Sequence, residues 1–509
     1  MIKPTQWMKY KSKKYPRILA AGMAVILGAG LMGSTPAYAE GENNNSMEAP
    51  DLTKASELVI TGGGAAESTL TDGNPNTFIS FVNDGEVTIT APEGENISAL
   101  YVVWRTVPEA WYIDAEGQTY TGGENGFLHE TVRLDEPASE VVLHWEYRQA
   151  YLADVYVLGE GPIPDWVQQW EVPEGPADLL LFPTHADDEH LYFGGTMPYY
   201  ASRGDVIIQV CYMVNHNGEP YRLHEQLDGL WTAGVRRYPI IPDFPDVYSN
   251  SLAHAQTVYN KQEILAYQTE MIRRFQPMVI IGHDLKGEYG HGAHILNADC
   301  LTEVIEQTDD PSYFPDSYEE YGGWQASKLY LHLYGENQIV MEWGDLVLTN
   351  PFFKGQTALE AAVSAFDCHA SQQEWFQVEA SGPYDCRKFG LFFTNVGQDV
   401  NGDDFFENLT LPRINGTPAE DIDEPEEAIL PIEPLPESSS EPSSSEVIDN
   451  EPEEILPATE PAQPPADDTP TYTLRLIAWA AGGVSLLLVL VLLLVGRLKK
   501  SKPPARGRR

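Results

Sequence analysis

The chain reads as a multidomain protein: an antiparallel β-sandwich, a Rossmann-like α/β domain with a mostly parallel sheet, a disordered acidic stalk and a C-terminal transmembrane helix. Three observations predict this. Between residues 51 and 160, short segments alternate apolar and polar residues, with glycine- and proline-bearing turns between them and no helical periodicity. From Ala177 onward, apolar strand-like runs alternate with helical stretches, the pattern of parallel strands joined by helices. Beyond Leu409 the composition turns to proline, glutamate, aspartate and serine, which cannot bury a core, and an apolar run Leu476–Val495 follows.

Taken in order, residues 1–39 carry a basic start (Lys9, Lys11, Lys13, Lys14, Arg17), an apolar stretch Ile18–Met32 and Ala37-Tyr38-Ala39, which together predict a secretory signal peptide cleaved after Ala39. Residues 40–50 form a disordered leader. The sandwich, 51–160, has strands at Glu86–Ala91, Ala99–Trp104 and Glu140–Trp145. Gly62-Gly63-Gly64 is a turn, because no helix follows it. Trp104, Trp111 and Tyr112 are stacking candidates for a sugar; the competing reading puts these aromatics in the core of a sandwich that only packs on its neighbour.

After a connector, 161–176, the α/β domain runs from 177 to 411. Its strands are expected at Leu179–Phe182, Val206–Tyr212, Met278–Ile281 and Gln338–Glu342. Its helices are expected at Glu189–Arg203, His224–Val235, Lys261–Phe275, His294–Gln307 and Thr357–His369. No GxGxxG follows the first strand, so no nucleotide cofactor is expected. The aromatic stretch Pro311–Trp343 walls a pocket or packs as an edge. Residues 412–475 are the stalk. Its stretch 415–473 lacks lysine and arginine and accounts for much of the formal net charge of −45, so the acidity describes a solvated tether, and no nucleic-acid partner is expected. Residues 476–496 are the membrane span. The basic tail 497–509 faces the cytoplasm by the positive-inside rule. A single-pass type I protein of the cell membrane follows, with its catalytic region outside, as fits a Gram-positive bacterium. Four cysteines are too few for a disulfide framework. Cys211 and Cys300 read as buried thiols, and Cys368 and Cys386 are close enough in sequence to pair.

Two loops carry the chemistry. The run Leu179–Phe182 turns at Pro183 into His185, Asp187, Asp188 and Glu189, and the run ending at Ile281 delivers His283, Asp284, Glu288, His291 and His294. In an open α/β sheet both loops reach one edge. Two imidazoles and one carboxylate with an open fourth position make a hydrolytic zinc site, which His185, Asp188 and His294 can supply. Zinc lowers the pKa of bound water to about 7, so Asp187 is left as a proton acceptor and His291 as the group that meets a developing oxyanion. His190, His216, His224, His254 and His283 read as structural or solvent-facing.

His-Ala-Asp-Asp-Glu at 185–189 with Gly194-Gly195, followed by Gly287–His294, resembles the paired signature of the PIG-L / LmbE-like zinc N-deacetylases, which act on N-acetylglucosamine-type sugars. The resemblance covers roughly 177–409. It implies one Zn2+ held by His185, Asp188 and His294, Asp187 as general base, His291 as the transition-state histidine and a carbohydrate substrate. The family's arginine is similar to Arg222, a substrate clamp on that reading and a helix-surface partner of Glu225 on the plainer one. Its terminal pattern resembles His369-Ala-Ser-Gln372, with His369 near the substrate. Ala186 stands where the family usually has proline. Likewise the segments Leu70–Phe81 and Leu152–Gly161 look like the galactose-binding-like (discoidin) jelly roll. The expected activity is removal of acetyl from a surface or extracellular glycan. The alternatives are a glycan-binding protein without catalysis and a zinc hydrolase of another amide or ester.

Overall fold

The computed structural model describes residues 48–63, 66–145 and 149–411. The expected signal peptide, most of the leader, the stalk, the membrane span and the basic tail lie outside the described residues. Among the described residues no helix is long and apolar enough to cross a membrane.

Eight antiparallel strands come first: β1 (Glu57–Gly63), β2 (Ile79–Thr90), β3 (Ile97–Trp104), β4 (Trp111–Ala115), β5 (Gln118–Gly122), β6 (His129–Ala138), β7 (Glu140–Trp145) and β8 (Gln149–Leu158). They form one hydrogen-bonded sheet in the order β5-β4-β7-β2-β8-β3-β6, with β1 beside β2. β2 joins its two leaves, since Ile79–Val82 pair with β8 and Gly85–Thr90 pair with β7. Alternation builds the core: on β3, Leu100, Val102 and Trp104 enter the interior, while Ala99, Tyr101 and Val103 pack on the opposite face with Val167 of the connector. Trp104 and Trp111 are wholly buried in that interior, so neither is available to stack a sugar. Tyr112 alone of the three reaches the surface, half-buried beside the His144 ring.

The second domain follows in the order β9 (Leu179–Leu181), α1 (Asp188–Leu191), α2 (Thr196–Arg203), β10 (Ile208–Val210), α3 (Pro220–Thr232), α4 (Leu252–Val258), α5 (Lys261–Phe275), β11 (Val279–Gly282), α6 (Gly292–Val304), α7 (Pro315–Tyr321), β12 (Lys328–His332), β13 (Gln338–Val340), α8 (Ala358–Phe366) and β14 (Lys388–Thr394). The six strands run β10-β9-β11-β12-β14-β13. β10, β9, β11 and β12 are parallel, and β14 is antiparallel to both its neighbours. Both faces are covered. Leu179, Leu181, Val279 and Ile281 pack with α2 and α8, whereas Leu180, Ile280, Leu329 and Leu331 pack with α5 and α6.

Several elements depart from the sequence reading. The stretch expected as one helix over Glu189–Arg203 is two, because the chain turns at Gly194 with φ +48, where an added Cβ would sit 2.7 Å from Cys386 Sγ. β12 lies inside the aromatic stretch Pro311–Trp343, where no strand was expected before Gln338. Its Lys328 is fully buried and paired with Asp399, a partner the strand's own sequence does not announce. Cys211 and Cys300 are buried as expected, while Cys368 and Cys386 are both free thiols and do not pair.

The two domains share a packed seam. Leu128 of the sandwich joins Leu223 and Leu227 of α3, Phe127 stacks on Tyr238 at 4.3 Å, and His129 Nε2 lies 2.7 Å from His224 Nδ1. His224, read from sequence as structural or solvent-facing, is a buried member of this seam.

Candidate active site

β9 and β11 are hydrogen-bonded neighbours, with Leu179 opposite Val279, and the strand order runs outward from them in both directions. Their C-terminal loops therefore meet at the switch point of the sheet. The first loop is held by α6, whose Asn297 Nδ2 donates to Phe182 O and to Thr184 Oγ1, both at 3.0 Å.

Three atoms converge. His185 Nδ1 lies 3.0 Å from His294 Nε2 and 3.2 Å from Asp188 Oδ2, and His294 Nε2 lies 3.3 Å from that same oxygen. The far side of each imidazole fixes what these atoms are. Glu288 is a buried carboxylate; burial alone would raise it, and His283 and its other histidine partners outweigh burial and hold it well below the usual range. It can only accept, so His294 Nδ1–H donates to Glu288 Oε2 at 2.8 Å and Nε2 is left with a lone pair. His185 Nε2 faces Asp246 Oδ1 at 3.6 Å, and Asp246 is itself held by His216 Nδ1 at 3.2 Å. Lone pairs on two nitrogens and a carboxylate oxygen so close repel one another unless a cation lies among them. Ligands about 2.0–2.1 Å from a tetrahedral ion stand roughly 3.3 Å apart, so the spacing of these three atoms fits one divalent cation. Carboxylates behind both imidazoles complete the pattern, since they fix ring orientation and raise ligand basicity.

His283 also borders Asp188, with Nε2 at 3.4 Å from Oδ2. The Thr184 N–H also points at that nitrogen, at 3.0 Å, so His283 braces the loop, and with Asp188 and His294 it forms an adjoining group of ligand-type atoms. Asp188 Oδ2 also accepts from His185 N at 2.7 Å. Burial alone would raise the Asp188 carboxyl, but the His294 and His185 imidazoles outweigh it and hold it well below the usual carboxylate range.

Asp187 sits beside this set with φ +130, a conformation that costs a non-glycine residue of order 1–3 kcal/mol and recurs at functional sites. Burial, followed by the Asp188 charge, pushes its carboxyl well above the ordinary range against the pull of Arg222. Arg222 is buried on α3, not on a helix surface. Its Nη2 donates to Ala186 O and stands 3.6 Å from Asp187 Oδ2. The expected partner Glu225 instead accepts from Ser371 N at 2.9 Å and Ser371 Oγ at 2.6 Å, which ties the His369–Gln372 turn to α3. His216 accepts the Ala186 N–H at 3.1 Å, so the loop before Asp187 is held from both sides.

His291, at the N-terminus of α6, has its ring 4.8 Å from that of His185 and 4.6 Å from that of His294. Burial, with the two neighbouring imidazoles, pushes it down to about 3, so it is a neutral hydrogen-bonding group and not an imidazolium. His369 is fully buried away from any opening. It stacks on Phe366 and faces His190 and Glu189, with Glu189 Oε1 at 3.4 Å from His190 Nε2 and 3.9 Å from His369 Nε2. The cluster exists because residue 229 is glycine: a Cβ there would lie 2.7 Å from His190 Nε2 and 2.8 Å from His369 Nε2.

Sequence reading thus nominated His185, Asp188, His294, Asp187, His291 and Arg222, which the structure gathers, and His369, which it buries behind them. It set aside His216 and His283, which the structure places directly against the site. It gave no role to Asp246 or Glu288. The one signal for Glu288 was its place in the second loop, and for Asp246 there was none.

No family model matches the chain. The 1D-myo-inositol 2-acetamido-2-deoxy-alpha-D-glucopyranoside deacetylase of Geodermatophilus obscurus is 24% identical over 280 residues, which is 45% of this chain and 90% of that protein. Three further proteins of that activity are matched over 58%, 54% and 60% of their length, at 24–25% identity. Among solved structures, an N,N'-diacetylchitobiose deacetylase from Pyrococcus horikoshii covers 38% of this chain and 70% of its own, at TM-score 0.31 and 16% identity. A CBM32 module from Clostridium perfringens covers 21% of this chain and 94% of its own, at TM-score 0.17 and 16% identity.

Proposed function

We propose that this chain is a membrane-tethered, extracytoplasmic zinc enzyme that removes acetyl from an N-acetylglucosamine-type sugar of a surface or extracellular glycan. Its coarser class, an N-deacetylase hydrolase, follows from relatives named as deacetylases of an acetamido sugar. The observation that carries the finer reading is the convergence of His185 Nδ1, Asp188 Oδ2 and His294 Nε2, with an unshared carboxylate, Asp187, beside them. The tether and the location rest on the leader, stalk and apolar run read from the sequence.

His185, Asp188 and His294 would hold the ion. Bound there, zinc supplies polarisation of the acetamide carbonyl and acidification of water to a pKa of about 7. Asp187 takes the proton of the water whose oxygen bonds to the carbonyl carbon. As the C–N bond breaks it returns that proton to the sugar nitrogen, leaving acetate and a free amine. Burial and the Asp188 charge raise this carboxyl's affinity for a proton, which suits a group that must take a proton and hold it until the nitrogen leaves. Arg222 fixes the Ala186 carbonyl and the Asp187 carboxylate together, so the proton acceptor keeps its aim. His291, neutral, offers a ring N–H to the oxygen on which charge develops.

Asp187→Ala in the full-length chain should keep its zinc content and lose acetate release from N-acetylglucosamine substrates by about a thousandfold, the scale of one general base. Unchanged turnover in a zinc-loaded Asp187→Ala variant removes the role assigned to this carboxylate. Absence of zinc from the unmodified protein by elemental analysis removes the reading as a whole.

A further inference from the structure

Beside the candidate site the surface opens into a cleft of about 380 Å3, half of whose lining residues are aromatic. Tyr192 and Tyr289 stand at its inner end, each with its ring 5.7 Å from that of His294. Phe376 and Tyr384 carry the wall outward from Tyr289, at 5.8 and 6.4 Å between rings. Trp375 ends it, an indole left 68% exposed. Together with Tyr289, Phe376 and Tyr384 it makes a continuous aromatic strip along one cleft, and contiguous exposed apolar surface of this kind marks binding grooves.

We propose that this cleft binds the sugar units next to the one being deacetylated, so that the substrate is a neutral N-acetylated oligosaccharide and Trp375 is a specificity-determining contact. This rests on the deacetylase reading above. Pyranose rings present faces of C–H groups that pack on aromatic rings, while their hydroxyls need polar partners. The cleft offers both, because Gln373, Gln377, Glu374 and Glu379 line it between the rings. Its lining includes no lysine or arginine, and two carboxylates oppose an anionic glycan. A uronate- or phosphate-bearing chain therefore meets repulsion there, and a neutral one does not.

The cleft wall is tied to the catalytic scaffold. Phe376 N donates to Gln372 O at 3.2 Å, so the segment bearing Trp375 hangs on the turn that Glu225 of α3 anchors through Ser371. The same helix supplies Arg222. The His369–Gln372 turn therefore positions the outer binding wall relative to Asp187, which gives the motif a role although His369 itself is buried.

The test uses the full-length chain with Asp187→Ala, so that binding is read without turnover, and calorimetry with three probes: N-acetylglucosamine, its β-1,4 tetramer and a tetrasaccharide alternating N-acetylglucosamine with glucuronate. The neutral tetramer should bind about tenfold more tightly than the single sugar, the size of one good aromatic contact. Adding Trp375→Ala should abolish that advantage and leave the single sugar's affinity and the melting temperature unchanged. In the otherwise unmodified enzyme, Trp375→Ala should raise KM for the tetramer about tenfold at constant kcat. An unchanged tetramer affinity, an equal loss for the single sugar, or binding of the uronate chain as tight as the neutral one overturns the proposal. If the unmodified chain releases acetate from neither neutral probe, the deacetylase reading fails instead, and the calorimetric arm still reports on the cleft.

Discussion

The sandwich and the α/β domain each contain residues that looked functional by type, and the two regions treated them in opposite ways. Trp104 and Trp111 lie within strands and point into the sandwich core, whereas His185 and His294 lie just past the ends of neighbouring parallel strands and converge. A side chain inside a strand faces one of two sides, and only its partners across the sheet settle which side is the interior. A side chain beyond the C-terminal end of a parallel strand has no ladder place to fill and is delivered to the sheet edge whatever its neighbours do. Residue type and the observed gathering of side chains agreed only where the backbone left the side chain no packing role.

Substitutions in the two regions should differ in size. The largest effect is expected inside the sandwich: Trp104→Ala removes a wholly buried indole and should cost about 3–5 kcal/mol in denaturant unfolding. Tyr112→Ala, at a half-buried site, should cost under about 1 kcal/mol. Comparable losses at the two positions would erase the distinction between core and surface aromatics.

Next in size is Glu288→Gln. The carboxylate accepts from Nδ1 of His283, His294 and His332 at 2.8, 2.8 and 2.7 Å, so the amide removes the charge that orients a ligand while keeping its shape. Zinc affinity measured by chelator competition should fall about 10- to 100-fold. Undiminished affinity would show that His294 is aimed by packing alone.

The smallest effect lies at the seam between the regions. Tyr101 OH and His129 Nδ1 share a hydrogen bond of 2.7 Å, and His129 Nε2 shares another of 2.7 Å with His224 Nδ1. Burial pushes His224 down to about 4, so it stays neutral in the folded protein. Between about pH 6.5 and 4 the unfolded chain binds the extra proton and the folded one does not, so stability falls as pH falls through that window. The loss from this group is about 1 kcal/mol at pH 6. Thermal midpoints taken at pH 7.5 and 6 should differ less in His224→Gln than in the parent; an equal difference in both places the acid sensitivity elsewhere.

Much of the fold was legible. α5 begins and ends where the sequence places it, at Lys261 and Phe275, and the buried strand runs ending in ligand-type residues marked β9 and β11. β12 was not, because a lysine opens it and the aspartate that neutralises Lys328 lies at 399. The candidate site divides in the same way. His185, Asp187, Asp188, His291 and His294 sit in two compact motifs, whereas Asp246 and His216 come from separate loops whose sequences carry no pattern. Arg222 was legible as a residue and illegible in its role, since the helix spacing offered it Glu225 and the fold gave Glu225 to Ser371.

Local sequence is enough to say which side chains stand at the ends of the two central strands, since apolar runs of that length bury and whatever follows them is delivered to the sheet edge. Which nitrogen of each histidine faces inward is set by the folded chain. That depends on Glu288 and Asp246 arriving behind the rings from other segments, and hydrogen-bond partners distant in the chain leave no trace in local spacing.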